Sequence, residues 1–267
     1  MQNEYILVQG GGELASGVAH ALFNSGLKVI ILEIEQPLCV RRTVSFAQAV
    51  LDKKIEVEGI QGVLTQTPDD IPKILAEKKI PVYIAHLSDA IDLFKPVVVI
   101  NATLSKKNNG MVKDLAPLTI ALGPGFVAGQ DVDVVVETKR GHYLGKLIYD
   151  GSALTNTGIP EKVNGYGIER VLYAPCDGIL THIRDIGASV RRDEVICRVS
   201  DEAVKAPFDG MVRGLIMNHR NVSKGMKIGD VDPRNDRNYC YTISDKARTV
   251  GGSVLQAILR YRAQGDA

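Results

Sequence analysis

Tyr5-Ile-Leu-Val-Gln-Gly-Gly-Gly-Glu-Leu-Ala-Ser-Gly17 decides the reading of the first half of the chain. An apolar run breaks on three glycines, and Leu14, Val18, Ala21 and Leu22 then recur at helical spacing. Gly26 supplies the stop, and Lys28-Val-Ile-Ile-Leu32 is a second apolar strand ending on Glu33. Strand, helix and strand make one βαβ unit. Gly10-x-Gly12-x-x-Ala15 lies in its first turn, where a missing Cβ lets the backbone approach a pyrophosphate and the helix amides face its charge. Glu33, 21 positions after Gly12, is placed to accept hydrogen bonds from ribose hydroxyls. The context points to a nucleotide or dinucleotide, and an acid at Glu33 favours NAD, FAD or a nucleotide-bearing pterin over NADP. A tight turn in a fold that has lost its ligand is the competing explanation.

Outward from this unit the α/β pattern continues. Pro37 breaks the strand, and Thr43 is expected to cap a helix running to about Leu51, with Arg41 and Arg42 at its entrance as a second anion site. A solvated arginine pair is the plain alternative. Residues 54–65 read as an inserted hairpin, 68–78 as a helix, 81–85 as a strand, 88–94 as a short helix and 96–101 as a strand ending in Asn101-Ala-Thr103. The polar loop 105–110, with Lys106 and Lys107, falls on the same edge as the Gly10 turn. Strand 118–122 leads into Gly123-Pro-Gly125, a second glycine-rich turn at a strand terminus and a further candidate for cofactor binding. Residues 133–137 and 143–148 frame a charged tip, so Glu137, Arg140 and His142 are the candidate catalytic cluster, an exposed hairpin turn being the alternative.

The loose stretch 150–167 is read as the domain junction, after which a repeat appears: Ala174-Pro-Cys-Asp-Gly178 recurs 32 positions later as Ala206-Pro-Phe-Asp-Gly210. Two such copies are similar to the halves of a barrel-sandwich hybrid, the fold of biotinyl and lipoyl carriers. Lys205 is poorly placed for a swinging arm and no lysine stands at the tip 200–202, so a docking or lid element is expected rather than a carrier. Asp232 and Arg234 are candidates for a site between domains, or simply a charged loop. Ser244 caps a last helix whose apolar face, Val254, Leu255, Ile258 and Leu259, is expected to pack on the sheet. The expected class is α/β: a Rossmann-like, mostly parallel sheet with inserted hairpins (1–150), an all-β barrel-sandwich-hybrid module (168–233) and a final helix (240–264).

Composition narrows the partners. Lys and Arg number 32 against 31 Asp and Glu, and aromatic content is 5% without Trp, so neither a nucleic acid nor an anionic membrane is indicated. No run of about 20 apolar residues offers a membrane span. Met1-Gln-Asn-Glu-Tyr enters the first strand without a basic, apolar leader, which makes cytoplasm the expected compartment. Cys39, Cys176, Cys197 and Cys240 form no CxxC pair, so no metal site or redox dithiol is expected. Homo-oligomerisation is left open.

Several strings, in order, resemble the YqeB family, the accessory proteins of selenium-dependent molybdenum hydroxylase systems: Gly12-Glu-Leu-Ala-Ser-Gly-Val-Ala-His20, Glu35-Gln-Pro-Leu-Cys-Val-Arg-Arg-Thr-Val-Ser-Phe-Ala47, Gly123-Pro-Gly-Phe126, Glu137-Thr-x-Arg-Gly-His-x-Leu-Gly145, the Ala-Pro-x-Asp-Gly repeat, Asp232-Pro-Arg234 and Ile243-Ser-Asp-Lys-Ala-Arg248. A fainter likeness is to the Rossmann-type domains of xanthine dehydrogenase accessory proteins, which handle molybdenum cofactor. In the family the fourth strand ends on an acid, so Asn101 is a departure. The resemblance implies a maturation factor with a hydroxylase subunit as partner. Its ligand would be nucleotide-bearing, such as molybdopterin dinucleotide, held by Gly10, Gly12 and Glu33, with Arg41 and Arg42 on its anionic remainder. Glu137, Arg140 and His142 would orient or act on the transferred group, and the β module would close over the site or dock the hydroxylase. The alternatives are an NAD-dependent oxidoreductase, for which His142 is the nominated base, and a non-enzymatic scaffold.

Overall fold

The computed structural model describes residues 4–158, 160 and 162–265, so Ile159 and Glu161 of the expected junction and the first three residues of the expected first domain lie outside the described residues. In chain order the elements are β1 (Tyr5–Gln9), α1 (Glu13–Asn24), β2 (Lys28–Glu33), α2 (Ala49–Asp52), β3 (Lys54–Val57), β4 (Ile60–Thr65), α3 (Ile71–Ala76), β5 (Ile80–Ile84), α4 (Leu87–Phe94), β6 (Val98–Asn101), β7 (Leu118–Leu122), β8 (Val134–Val136) and β9 (Leu147–Ile148). They continue with β10 (Val171–Tyr173), β11 (Gly178–His182), β12 (Ser189–Val190), β13 (Val195–Val199), β14 (Glu202–Lys205), β15 (Gly210–Leu215), β16 (Asn221–Val222), β17 (Lys227–Asp232), α5 (Asn238–Tyr241) and α6 (Asp245–Gly265). Contacts divide the chain into two units: Met1–Pro37, Ser45–Thr157 and Ile243–Ala267 in the first, Leu38–Val44 and Gly158–Thr242 in the second.

The first unit holds a nine-stranded sheet ordered β3-β4-β5-β2-β1-β6-β7-β8-β9. The strands from β4 to β8 in that order run parallel, and the edges β3 and β9 pair antiparallel. The chain winds from β1 one way through β2, then returns to lay β6, β7 and β8 on the other side. The order therefore reverses between β1 and β6, the place where an open parallel sheet leaves a crevice beyond its strand ends. The hairpin read at 54–65 does more than decorate the sheet, since β4 pairs in parallel with β5.

Both faces of this sheet are covered, as its near-continuous apolar strands require. Tyr5 and Leu7 face one layer with Ile71 of α3 and Ala90 of α4. On the other, α1 and α6 lie side by side with little between them. A Cβ on Gly17 would stand 2.7 Å from the Cβ and carbonyl oxygen of Ala247, and one on Gly251 would stand 2.6 Å from the Gly17 carbonyl oxygen. The last helix thus packs on α1 as well as on the sheet; its buried face runs through Ala247, Val250, Gly251, Val254 and Ile258, while Leu259, expected on that face, is exposed. Ser244 Oγ accepts the Ala247 N–H at 3.2 Å, the cap its type provides.

The second unit has two four-stranded antiparallel sheets, β10-β17-β15-β12 and β14-β13-β11-β16. The sequence repeat shows here as an exchange: β12 of the first copy pairs with β15 of the second, and β16 of the second with β11 of the first. Leu180, Ile196, Val199, Val212, Leu215, Ile228 and Val231 fill the shared core. Asp232, whose side chain is 1% exposed, is met by Arg234 at 2.6 Å and Arg213 at 3.6 Å.

Candidate functional site

The carboxyl ends of β1, β2, β6, β7 and β8 share one edge of the large sheet, and the glycine turn occupies its reversal point. Gly10 has φ +92°, a conformation that favours glycine, and its N–H donates to the Leu32 carbonyl at 2.8 Å. Gly11 is pressed on Ala47, whose nitrogen would stand 2.8 Å from a Cβ there; the Gly11 carbonyl accepts from the Ala47 N–H at 2.9 Å and the Ser16 hydroxyl at 3.0 Å. The Ser16 oxygen in turn accepts the Phe46 N–H at 2.8 Å. One side of the turn is therefore filled by the chain itself. The other is open: Gly12, the N-cap of α1, has nothing within 4 Å of the place a Cβ would occupy.

Glu33 faces back across this turn. One carboxylate oxygen accepts the Gly11 N–H at 2.7 Å and the other the Ile34 N–H at 2.8 Å. Burial pushes the carboxyl above its usual range and the two N–H donors pull it down, leaving it raised. The group is held rigidly, with lone pairs to spare for a ligand hydroxyl, and the neighbouring Ile34 side chain stands 64% exposed. At the end of β6 the fully buried Asn101 donates to Gln9 at 2.8 Å and to Asn109 at 2.7 Å, and its oxygen accepts the Thr103 hydroxyl at 2.8 Å. The Asn101 amide thus ties loop 103–109 to β1. Gly123 and Gly125 serve close packing on this edge: a Cβ on Gly123 would meet the Thr138 hydroxyl at 2.6 Å, and one on Gly125 would overlap the backbone at Lys106 and Lys107.

The three residues of the charged turn each meet a different partner. Glu137 is buried and its two oxygens accept the Lys139 and Leu154 N–H groups, each at 2.7 Å. Arg140 forms a two-pronged pair with Asp245 of α6 at 2.5 and 2.6 Å. His142 is exposed, its ring edge-on to Tyr143 with 4.9 Å between centroids. The strands are also shorter than expected, because residues 137–146 close as turns held by the Glu137 N–H on the Lys146 carbonyl at 3.0 Å.

No helix starts at Thr43, contrary to expectation. Single 3-10 turns, Arg42–Val44 and Phe46–Gln48, precede the one-turn α2, and the Thr43 hydroxyl donates to the Cys240 carbonyl at 2.5 Å instead of capping. Arg41 and Arg42 therefore lack the helix amides that were to complete an anion site. Both belong to the second unit. Buried Arg41 donates to the Tyr239 and Thr242 carbonyls at 2.7 and 3.3 Å; Arg42 donates to the Leu215 carbonyl at 2.7 Å and pairs with Asp185 at 2.6 Å. Asp232 and Arg234 pair with one another inside that unit.

Lys246 was missed as a candidate. It lies on the first turn of α6, half-buried, in the field of Arg140, Glu13, Glu137 and Asp245, and burial, first, then the Arg140 charge hold its amine below the ordinary lysine range. The only signal in the sequence is its place in Ile243-Ser-Asp-Lys-Ala-Arg248, where helix capping explains the string equally well. Among the described residues no three His, Cys, Asp or Glu side chains are grouped to hold a metal ion, and no helix is long and apolar enough to cross a membrane.

No protein-family model matches the chain. It is 43% identical over 263 residues, 98% of its length, to a protein of Escherichia coli strain K12 named "Uncharacterized protein YqeB", and spans 49% of that protein. Solved structures with some likeness include an aspartoacylase family protein from Mesorhizobium loti (11% identity, 79% of this chain and 58% of that one, TM-score 0.26). Another is a succinylglutamatedesuccinylase/aspartoacylase from Rhodobacter sphaeroides (14% identity, 88% of this chain and 87% of that one, TM-score 0.28). Likeness at that level carries no argument about activity.

Proposed function

We propose that the chain is a member of the YqeB family, which the 43% identity over nearly its whole length supports, and that the Gly10 edge of the first unit binds a nucleotide-bearing ligand. The parallel order reversing between β1 and β6 is that of a Rossmann-like sheet, and the ligand would lie beyond the strand ends at that reversal. The observation that carries the reading is the pairing of an open Gly12 with a Glu33 carboxylate fixed by the Gly11 N–H. A phosphate would approach the first amides of the twelve-residue α1 where no Cβ obstructs it, and Glu33 would accept from a ribose. A 2′-phosphate would meet that carboxylate, so NAD-like or pterin dinucleotides fit better than NADP.

For the wider role we take the resemblance of the sequence motifs to accessory proteins of selenium-dependent molybdenum hydroxylases. In this reading the ligand is the dinucleotide form of the pterin cofactor, and the protein acts in maturation of a hydroxylase subunit. The second unit, whose interlocked repeat we read as a barrel-sandwich hybrid, would offer the docking surface. Isothermal titration with ADP, NAD, FAD and molybdopterin dinucleotide tests the binding step: one of them should bind, and Gly12→Asp should weaken it by roughly tenfold or more, since an added carboxylate opposes phosphate. Equal affinity in the variant would remove the site from Gly12.

A further inference from the structure

Arg213 is the extra residue of a β-bulge. Val212 before it pairs with Val231, Gly214 after it pairs with Asp230, and no residue of β17 stands opposite the arginine. A bulge of this kind turns a side chain out of the alternation of its strand. Here it joins a cluster of guanidinium groups gathered on one residue, Tyr239, all within the second unit. The Tyr239 carbonyl accepts Arg41 Nη2 at 2.7 Å and Arg213 Nε at 3.4 Å, and the Arg234 guanidinium lies 4.1 Å over the Tyr239 ring.

The carboxylate in contact with this cluster is committed to Arg234. Asp232 Oδ1 accepts the Arg234 backbone N–H at 3.0 Å and its Nε at 2.9 Å, and Oδ2 accepts Nη2 at 2.6 Å. Arg213 reaches Asp232 only through Nε, at 3.6 Å. Its two terminal nitrogens make no hydrogen bond among the described residues, although the side chain is only 14% exposed. A guanidinium held by its inner nitrogen presents its fork, the half of the group that grips oxyanions two-pronged. Arg170 stands in the field of Asp230, Asp232, Arg213 and Arg234. The guanidiniums of Arg41, Arg170, Arg213 and Arg234 set against the carboxylates of Asp230 and Asp232, four against two, leave two positive charges over.

We propose that the Arg213 fork is the base of an anion site in the second unit, and that its ligand is a phosphate group, free or as a monoester. The nearly doubly negative charge of phosphate matches the positive excess, and two of its oxygens match the two terminal nitrogens. Tyr239 and Asp232 hold the guanidinium from behind, so little side-chain freedom is lost on binding. A purely structural arginine closes its fork on a carboxylate, as Arg234 does on Asp232. The site is independent of the nucleotide reading of the Gly10 turn.

Isothermal titration of the full chain with inorganic phosphate and with phenyl phosphate at low ionic strength tests this. Saturable binding is expected, weakened about tenfold in Arg213→Gln and in Arg213→Lys, which keeps the charge and the fold but not the fork. The binding that depends on Arg213 should be unchanged in Arg192→Gln, an exposed arginine of the same unit, and in Gly12→Asp. No binding of either anion, wild-type affinity in both Arg213 variants, or a loss in Gly12→Asp instead would overturn the proposal, the last by placing the ion at the Gly10 turn. Binding of inorganic phosphate alone assigns the site to the free ion, and binding of phenyl phosphate as well assigns it to monoesters.

Discussion

Glu33 accepts the Gly11 N–H at 2.7 Å, so the acid at the tip of β2 and the glycine turn after β1 form one rigid lip. The consequence is a carboxylate whose place is set before any ligand arrives. Replacing it by Gln keeps the shape but forces an amide to face one of two N–H donors. Nucleotide affinity should fall by roughly 1.5–3 kcal/mol, the scale of a hydrogen bond to a charged group, in a titration of Glu33→Gln.

The same residue gives a stability signature. Its carboxyl is raised from an ordinary 4.5, mainly by burial, so the folded chain holds that proton to higher pH than the unfolded one. The contribution is fully present below the unfolded value and is lost as pH rises through the folded one. Urea midpoints taken from below pH 4.5 upward should therefore fall across that window in the wild type and fall less steeply in Glu33→Gln. Parallel curves would show that Glu33 titrates as it does in the unfolded chain.

Asp232 titrates in the opposite sense. Burial would raise its carboxyl, but the hydrogen bonds and charge of Arg234, with Arg213, outweigh it and hold the group below 3.8. This stability is present above the unfolded value and lost as pH falls through the folded one. Asp232→Asn removes the carboxylate that Arg234 and Arg213 share and should cost about 1–3 kcal/mol at pH 7, read as a lowered urea midpoint. A loss below 1 kcal/mol would mean that the arginines find other partners.

Gly17→Ala sets two effects against each other. Alanine in a helix interior gains about 1 kcal/mol over glycine, whereas overpacking costs about 1–3 kcal/mol. Here the new methyl would meet the Ala247 backbone at 2.7 Å, which no rotamer change relieves, so net destabilisation is expected on thermal melting. A rise in Tm would mean that α6 moves freely on α1.

Thiol chemistry should divide the cysteines. Burial pushes Cys197 up to about 12 and raises Cys240, while Cys39 and Cys176 are partly exposed. Native iodoacetamide labelling should reach Cys39 and Cys176 and spare the other two until denaturant is added.

The βαβ unit was legible because a change of apolar period brackets the glycines, and the repeat because Ala-Pro-x-Asp-Gly recurs whole. What stayed hidden depends on partners far along the chain. Arg41 and Arg42 read as an anion clamp until residues 215 and 239 supply the carbonyls that occupy them. Glu137 reads as an acid until the Leu154 N–H, 17 positions on, takes its second oxygen. Gly17 and Gly251 read as weak helix formers, yet they are the surfaces where two helices touch.

The central claim is that the Gly10 turn holds a nucleotide-bearing ligand. Native mass spectrometry of the wild-type protein and Gly12→Asp, both purified from a host that makes molybdenum cofactor, tests it most directly against the denatured masses. A retained nucleotide or pterin mass is expected on the wild type and absent from the variant. The same mass on both proteins, or on neither, would contradict it.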